Sequence, residues 1–220
     1  TSAWSLEVSN GYTLYGNGFT LTYTGADRAI EIPSNADKQV NVAIEDLTVD
    51  CTASYCQRGI NYNDDGKLVL NNVTVEGVNV TYALNLPGYS DNCQVEITDS
   101  NLTGNIAMNV WGANSQITAT NTVFTSVDKS TAEGYVAISL NNDGAGNAAT
   151  GAVVNINGGK IIATDEKGEA STAVRLETAA TVNVSEGTEV VGKTVAEVAI
   201  VTYQGSSDFY SFETLQDAVD

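Results

Sequence analysis

A tetrad of small, aliphatic, polar and aliphatic residues recurs seven times in this chain. The copies are Ala29-Ile30-Glu31-Ile32, Gly59-Ile60-Asn61-Tyr62, Ala83-Leu84-Asn85-Leu86, Ala107-Met108-Asn109-Val110, Ala137-Ile138-Ser139-Leu140, Ala173-Val174-Arg175-Leu176 and the looser Ala199-Ile200-Val201-Thr202. Successive copies start 30, 24, 24, 30, 36 and 26 residues apart. A second series follows the first, in alternating segments that begin at Val42, Leu68, Val95, Ile117, Val154 and Val182. Each of these runs into a turn rich in Asn, Asp or Gly and then a further apolar patch, so each unit holds three short strands. A strand with two inward side chains cannot bury a core alone, and units of this size have to stack on their neighbours and share one interior.

The alternation has a period of two and is rich in Val, Ile and Thr, whereas helical repeats follow a 3.6-residue period and leucine-rich repeats space their leucines regularly. The sequence therefore predicts an all-β fold: a single-stranded right-handed parallel β-helix of about seven to eight coils, three short strands per coil, over residues 1–205. Each coil rises by about 4.8 Å, so equivalent positions lie above one another. Ile30, Ile60, Leu84, Met108, Ile138, Val174 and Ile200 then form one inward column, and Ile44, Leu70, Ile97, Ala119, Ile156 and Val184 another. Asn61, Asn85 and Asn109 fall on the outward side. Asn, Asp and Gly suit the turn between the second and third strands because they tolerate left-handed backbone.

Residues 206–220 read as a C-terminal capping segment or the start of a next module. Ser211 can cap a short helix there, Glu213 sits in its first turn, and Phe212, Leu215 and Val219 share a face. The repeat is already under way at Ser5–Thr24, and this helix has no C-cap, so the chain reads as a piece of a longer modular polypeptide. Acidic residues outnumber basic ones 27 to 9, for a formal charge of −18. That balance disfavours nucleic acid and anionic membranes as partners, and no apolar run reaches the length of a membrane span. Cys51 and Cys56 flank a four-residue loop and can pair in an oxidising compartment, leaving Cys93 free, or all three are buried thiols. Three thiols without histidine make a poor zinc set, and no calcium-loop spacing is present, so no metal or cofactor is expected.

The stacked units resemble the pectin lyase-like superfamily of right-handed parallel β-helices over nearly the whole chain. The segments Tyr12–Gly25 (YTLYGNGFTLTYTG) and Asp208–Asp220 (DFYSFETLQDAVD) resemble, more narrowly, those that open repeat modules of adhesin-like bacterial cell-surface proteins. The resemblance implies an exported, surface-attached module; it names no ligand. Enzymes of the superfamily are mostly polysaccharide lyases and glycoside hydrolases that work on the outer face of one sheet. Polygalacturonase-like members pair clustered Asp residues with Gly-His-Gly and Arg-x-Lys, and this chain has no histidine and no Arg-x-Lys.

Two sets of candidate residues follow. The outward positions of the first series run Glu31, Asn61, Asn85, Asn109, Ser139 and Arg175, and next to them Pro33, Asn63, Pro87, Trp111, Asn141 and Glu177. Stacked asparagines one strand spacing apart can bond to each other as a structural ladder, or offer a neutral strip to sugar hydroxyls. In the second reading Trp111 stacks on a sugar ring, and the site is bounded by Tyr89, Asn141 and Asp143; in the first, its indole packs under the Gly112 turn. The best carboxylate set is Asp64 and Asp65, with Asp91 on the next coil. Glycoside hydrolysis needs a carboxylate pair about 5 to 9 Å apart, but Asp-Asp-Gly between strands is also an ordinary turn. The expected function is a non-catalytic extracellular β-helix module on a bacterial surface, adhesin-like or glycan-recognising, with glycans, a host surface protein or further modules as partners. The alternative is a polysaccharide lyase or glycoside hydrolase that uses Asp64, Asp65 and Asp91. A trimeric phage-type fibre is disfavoured because its outer face would have to be apolar.

Overall fold

The computed structural model describes residues 11–192 except 36, 38, 54, 78–79, 128–135 and 165–170, together with 6–7, 201–202 and 209–210. The first series forms a seven-stranded sheet of Leu6–Glu7, Arg28–Ile32, Cys56–Tyr62, Val80–Leu86, Ile106–Val110, Val136–Leu140 and Thr172–Leu176, in chain order across the sheet. The second series forms another sheet from Tyr12–Tyr15 to Glu189–Val191, also ordered along the chain. All pairings within both sheets are parallel. Chain segments that return each time to the same sheet, one strand further on, give an arrangement consistent with a parallel β-solenoid. No helix occurs among the described residues.

The register is the one read from the repeat. Ile30 pairs with Ile60, Ile60 with Leu84, Leu84 with Met108, Met108 with Ile138 and Ile138 with Val174. In the second sheet Ile44 pairs with Leu70 and Leu70 with Ile97, while Ala119 pairs with Ile97 and Ile156. All these residues belong to one buried cluster, with Val184 partly buried at its edge. Ile200 lies outside the described residues, as does the segment from Ser211 on which a C-terminal helix is expected. Phe209–Tyr210, just before it, pair antiparallel with Val201–Thr202.

Two local devices shape each coil. The second and third predicted strands share one sheet and meet at a left-handed corner, of one residue in most coils and of two at Asn17-Gly18 and Gly158-Gly159. Asn17, Asp46, Asn72, Asp99 and Asn121 occupy this corner with φ between 48° and 53°, and Gly158 takes it in the next coil with φ 76°. Short polar side chains tolerate that backbone, and here they also bond along the stack. Asn72 Nδ2 donates to Asp46 Oδ1 at 2.7 Å, and Asn121 Nδ2 to Asp99 Oδ1 at 3.2 Å.

The second device is the small residue that opens each tetrad. A Cβ added at Gly59 would stand 2.4 Å from Cγ1 of Val75, a core residue of the facing sheet, and 2.8 Å from the Ala83 carbonyl. The small position therefore points inward and is tightly bounded. Arg58 Nη1 donates to Asn61 Oδ1 at 3.3 Å, and Arg28 Nε lies 3.3 Å from Glu31 Oε2. Residues three apart on a regular strand point to opposite faces, so these contacts place the break in alternation at the small residue between them.

Leu84 is fully buried in a central coil, whereas Tyr89 is 73% exposed. Leu84→Ala is expected to destabilise the protein by about 2 to 5 kcal/mol, because the coils on either side cannot collapse into the cavity without shifting. Tyr89→Ala should have a much smaller effect. Denaturant melts that gave equal effects would show the core to be wrongly placed.

Candidate functional site: the outer face of the seven-stranded sheet

The asparagines stand on the face opposite the aliphatic column, as the alternation requires. They are nevertheless closed to solvent: Asn61 is 1% exposed, and Asn85 and Asn109 are 0%. Asn109 Nδ2 donates to Asn85 Oδ1 and Asn85 Nδ2 to Asn61 Oδ1, both at 2.8 Å. Asn61 Nδ2 in turn donates to both carboxylate oxygens of Glu31, at 2.9 and 3.1 Å. The structural ladder is the form the strip takes; an open row of amides for sugar hydroxyls is not. Each amide is sealed by the coils before and after it, which no single segment of sequence reveals.

The ladder has a direction, since every amide N–H points back towards Glu31. At the far end Asn109 Oδ1 is buried without a donor. Two residues on, the buried indole N–H of Trp111 has no acceptor, and Asn141 Oδ1 in the neighbouring coil has no donor. Trp111 is half-buried and meets Tyr82 edge to face, with ring centroids 5.8 Å apart and planes at 84°. Its indole thus packs on an aromatic partner from the preceding coil.

Charge collects on the same face. The chain has three arginines, Arg28, Arg58 and Arg175. Arg58 pairs in register with Arg28 on one side and Tyr82 on the other. Arg175 donates from Nε and Nη2 to Ser139 Oγ and lies 3.4 Å from Glu177. Burial lowers the pKa of the Arg58 guanidinium from its usual value, and the neighbouring Arg28 adds to this. Burial pushes the Glu31 carboxyl up, against the pull of Arg28 and the Asn61 hydrogen bond. The sequence reading singled out Arg175 but not Arg28, Arg58 or Tyr82. Their signal was the residue just before each small residue, which the break in alternation turns outward.

Two of the three carboxylate candidates, Asp64 and Asp91, accept backbone hydrogen bonds. Asp64 is 3% exposed; its Oδ1 accepts from the backbone N–H groups of Val40 at 2.7 Å and Gly66 at 3.0 Å, and Oδ2 from Asn35 at 2.9 Å. It ties the preceding loop to its own turn. Asp65 is exposed beside it, and Asp91 accepts from the Ala113 N–H at 2.6 Å.

The Asn141–Ala152 insertion is internally knit. Asp143 accepts from the backbone of Ala145 and Asn147, and from Asn147 Nδ2, which lowers its pKa. Asn147 packs so closely on Gly88 that a Cβ there would stand 2.1 Å from Asn147 Cγ. The insertion therefore reaches back to the turn that carries Tyr89, and the structure brings together that turn and the Asn141–Asp143 segment. Residues 165–170 of the second insertion lie outside the described residues. Among the described residues, no group of three or more His, Cys, Asp or Glu is placed to hold a metal ion.

Two outcomes follow. Asn85→Ala removes the middle rung, leaving Asn61 Oδ1 with only its longer bond from Arg58 and Asn109 Nδ2 without its acceptor, and should destabilise by about 1 to 3 kcal/mol in a denaturant melt. For Glu31 the folded pKa is raised, so its contribution to stability is greatest below the unfolded value and fades as pH rises through the folded one. Its carboxyl should titrate above 4.5 by carbon NMR, and wild type should gain on Glu31→Gln as pH falls from about 7 to 4. A midpoint below 4.5 would contradict the burial argument.

Comparison of the chain with protein-family models, with curated proteins and with solved structures returns no match.

Proposed function

We propose that this chain is a non-catalytic module of an extracellular bacterial surface protein, wound as a right-handed β-helix of about seven to eight coils, that recognises carbohydrate on the outer face of its seven-stranded sheet. The handedness accords with the strong preference of parallel crossovers for the right-handed form. One observation carries the functional reading: a half-buried indole with an unpartnered N–H stands beside two unpartnered amide oxygens, Asn109 Oδ1 and Asn141 Oδ1. Buried polar groups without partners are rare and destabilising. A ligand whose hydroxyls both donate and accept would meet the needs of these atoms, and the indole face offers the apolar platform that sugar rings need.

Tyr82 and Arg58 extend this strip along the preceding coils, and Tyr89 with the Asn141–Asp143 segment bounds it. Binding without turnover fits the carboxylates near the face, since Glu31 is held by Arg28 and Asn61 and Asp64 by three backbone N–H groups. Glycoside hydrolysis needs a carboxyl pair free to exchange protons about 5 to 9 Å apart across the scissile bond, whereas these two carboxyls are already committed to partners within the fold. The second reading, a polysaccharide lyase or hydrolase that uses Asp65 with Asp64 and Asp91, rests on the exposure of Asp65 next to that turn.

Titration of wild type and Trp111→Ala against host and plant glycans separates the readings when paired with assays for reducing ends and unsaturated products. The expected result is binding without product, weakened about tenfold or more in the variant, which corresponds to roughly 1.4 kcal/mol. Unchanged affinity removes this site. Product formation abolished by Asp65→Asn replaces the proposal with the enzymatic reading.

A further inference from the structure

The core columns of the second sheet do not end on a polar cap. In the first coil Tyr12 pairs in register with Val42 and Leu14 with Ile44; Leu21 pairs with Val49, and Phe19, two residues earlier, falls over Leu47. Val42, Ile44, Leu47 and Val49 are all buried, whereas Tyr12 is 64% exposed and Phe19 74%, with Leu14 and Leu21 only partly buried. These four side chains hold inward positions of the repeat, yet they lie open at the end of the stack.

Terminal units of a solenoid ordinarily turn a polar face outward, and edge strands are ordinarily guarded by charge, Pro or a covering loop. Here the strands Tyr12–Tyr15 and Thr20–Thr22 form the edge of their sheet, and among the described residues each pairs only with Val42–Asp50. Glu7 is the single charged side chain among the first 26 residues of a chain whose net charge is −18, and those 26 residues contain no proline.

We propose that this coil is a self-association surface: two copies of the chain meet end to end about a two-fold axis, with the edges formed by residues 12–22 antiparallel, and Tyr12, Leu14, Phe19 and Leu21 of each copy cover the open core of the other. The inference is independent of the carbohydrate reading. Charge selects the occupant. Two copies that each carry −18 repel one another, and a nearly neutral end is where their approach costs least. The opposite end offers no such match, because the last described coil carries Arg175, Glu177, Glu186 and Glu189, and the chain runs on from Gly192 for 28 more residues. A head-to-tail stack would set the neutral edge against that charged coil, and its unlike ends would leave it free to grow. Contact between like ends closes at two. Aromatic side chains at the centre of such a contact supply the apolar area that a small interface needs.

The test is sedimentation equilibrium of the full chain across roughly 1 to 100 μM, the range in which a modest apolar interface assembles. The expected result is a monomer–dimer equilibrium with no larger species, which tightens as salt rises from about 0.05 to 0.5 M because screening relieves the repulsion between the two acidic bodies. Phe19→Lys and Tyr12→Lys, at side chains exposed in the single chain, should each weaken dimerisation about tenfold or more without changing the circular dichroism spectrum. Tyr55→Lys, at an exposed tyrosine on the flank of the stack, should leave the dimer unchanged. A monomer throughout, a species that grows beyond two copies, association that weakens as salt rises, or a dimer indifferent to both first-coil substitutions would each overturn the proposal.

Discussion

The structure depends on one constraint: equivalent residues of successive coils must lie directly above one another. A strand of five to seven residues satisfies none of its own backbone N–H and C=O groups. It does so only by pairing with the coils before and after it, and the register has to hold along the whole chain. Once it holds, every position of the repeat becomes a column whose members face the same requirement. The aliphatic columns fill the interior, and the small residue is the one that fits against the facing sheet at Gly59. The corner column takes Asn, Asp or Gly because its backbone is left-handed, and the outer amides bond to each other because stacking sets them within reach.

That constraint also explains what the sequence conveyed and what it did not. Ile60, Leu84, Met108 and Ile138 were legible as a column because a period of two and a repeat of whole units fix both the face and the register. The burial of Asn61, Asn85 and Asn109 was not, since an isolated Asn-containing strand exposes its amide and only the neighbouring coils close it off. Asp64 and Asp65 are adjacent in an ordinary turn sequence, and nothing local distinguishes the one that gathers three backbone N–H groups from the one left in solvent. Arg28 and Arg58 escaped notice because strict alternation sends them inward, and the break at the small residue that turns them outward is a matter of packing.

The same stacking bears on chemistry. On an acidic protein, the three arginines share one face with Trp111 and Tyr82, above a floor of mutually satisfied amides. A rigid floor with its polar groups already paired offers little to a reaction that must move protons, because a proton shuttle needs groups free to change partners. The proposed recognition role accords with such a floor, because a pre-formed surface loses little freedom on binding. The unpartnered atoms at the end of the ladder are the exception, and they lie where the amide column gives way to Ser139 and the Asn141 insertion.

Removal of one unit tests the central claim most directly. The 24 residues from Ala83 to Ile106 make up one full step of the repeat. Deleting them joins Tyr82 to Ala107, sets Ile60 next to Met108 and brings Asn109 over Asn61. If register between interchangeable coils determines the fold, this shortened chain keeps a β-type circular dichroism spectrum and a cooperative melt, whereas deletion of residues 83–94, half a step, abolishes both. Loss of folding in the full-step deletion, or its survival in the half-step deletion, would contradict the account.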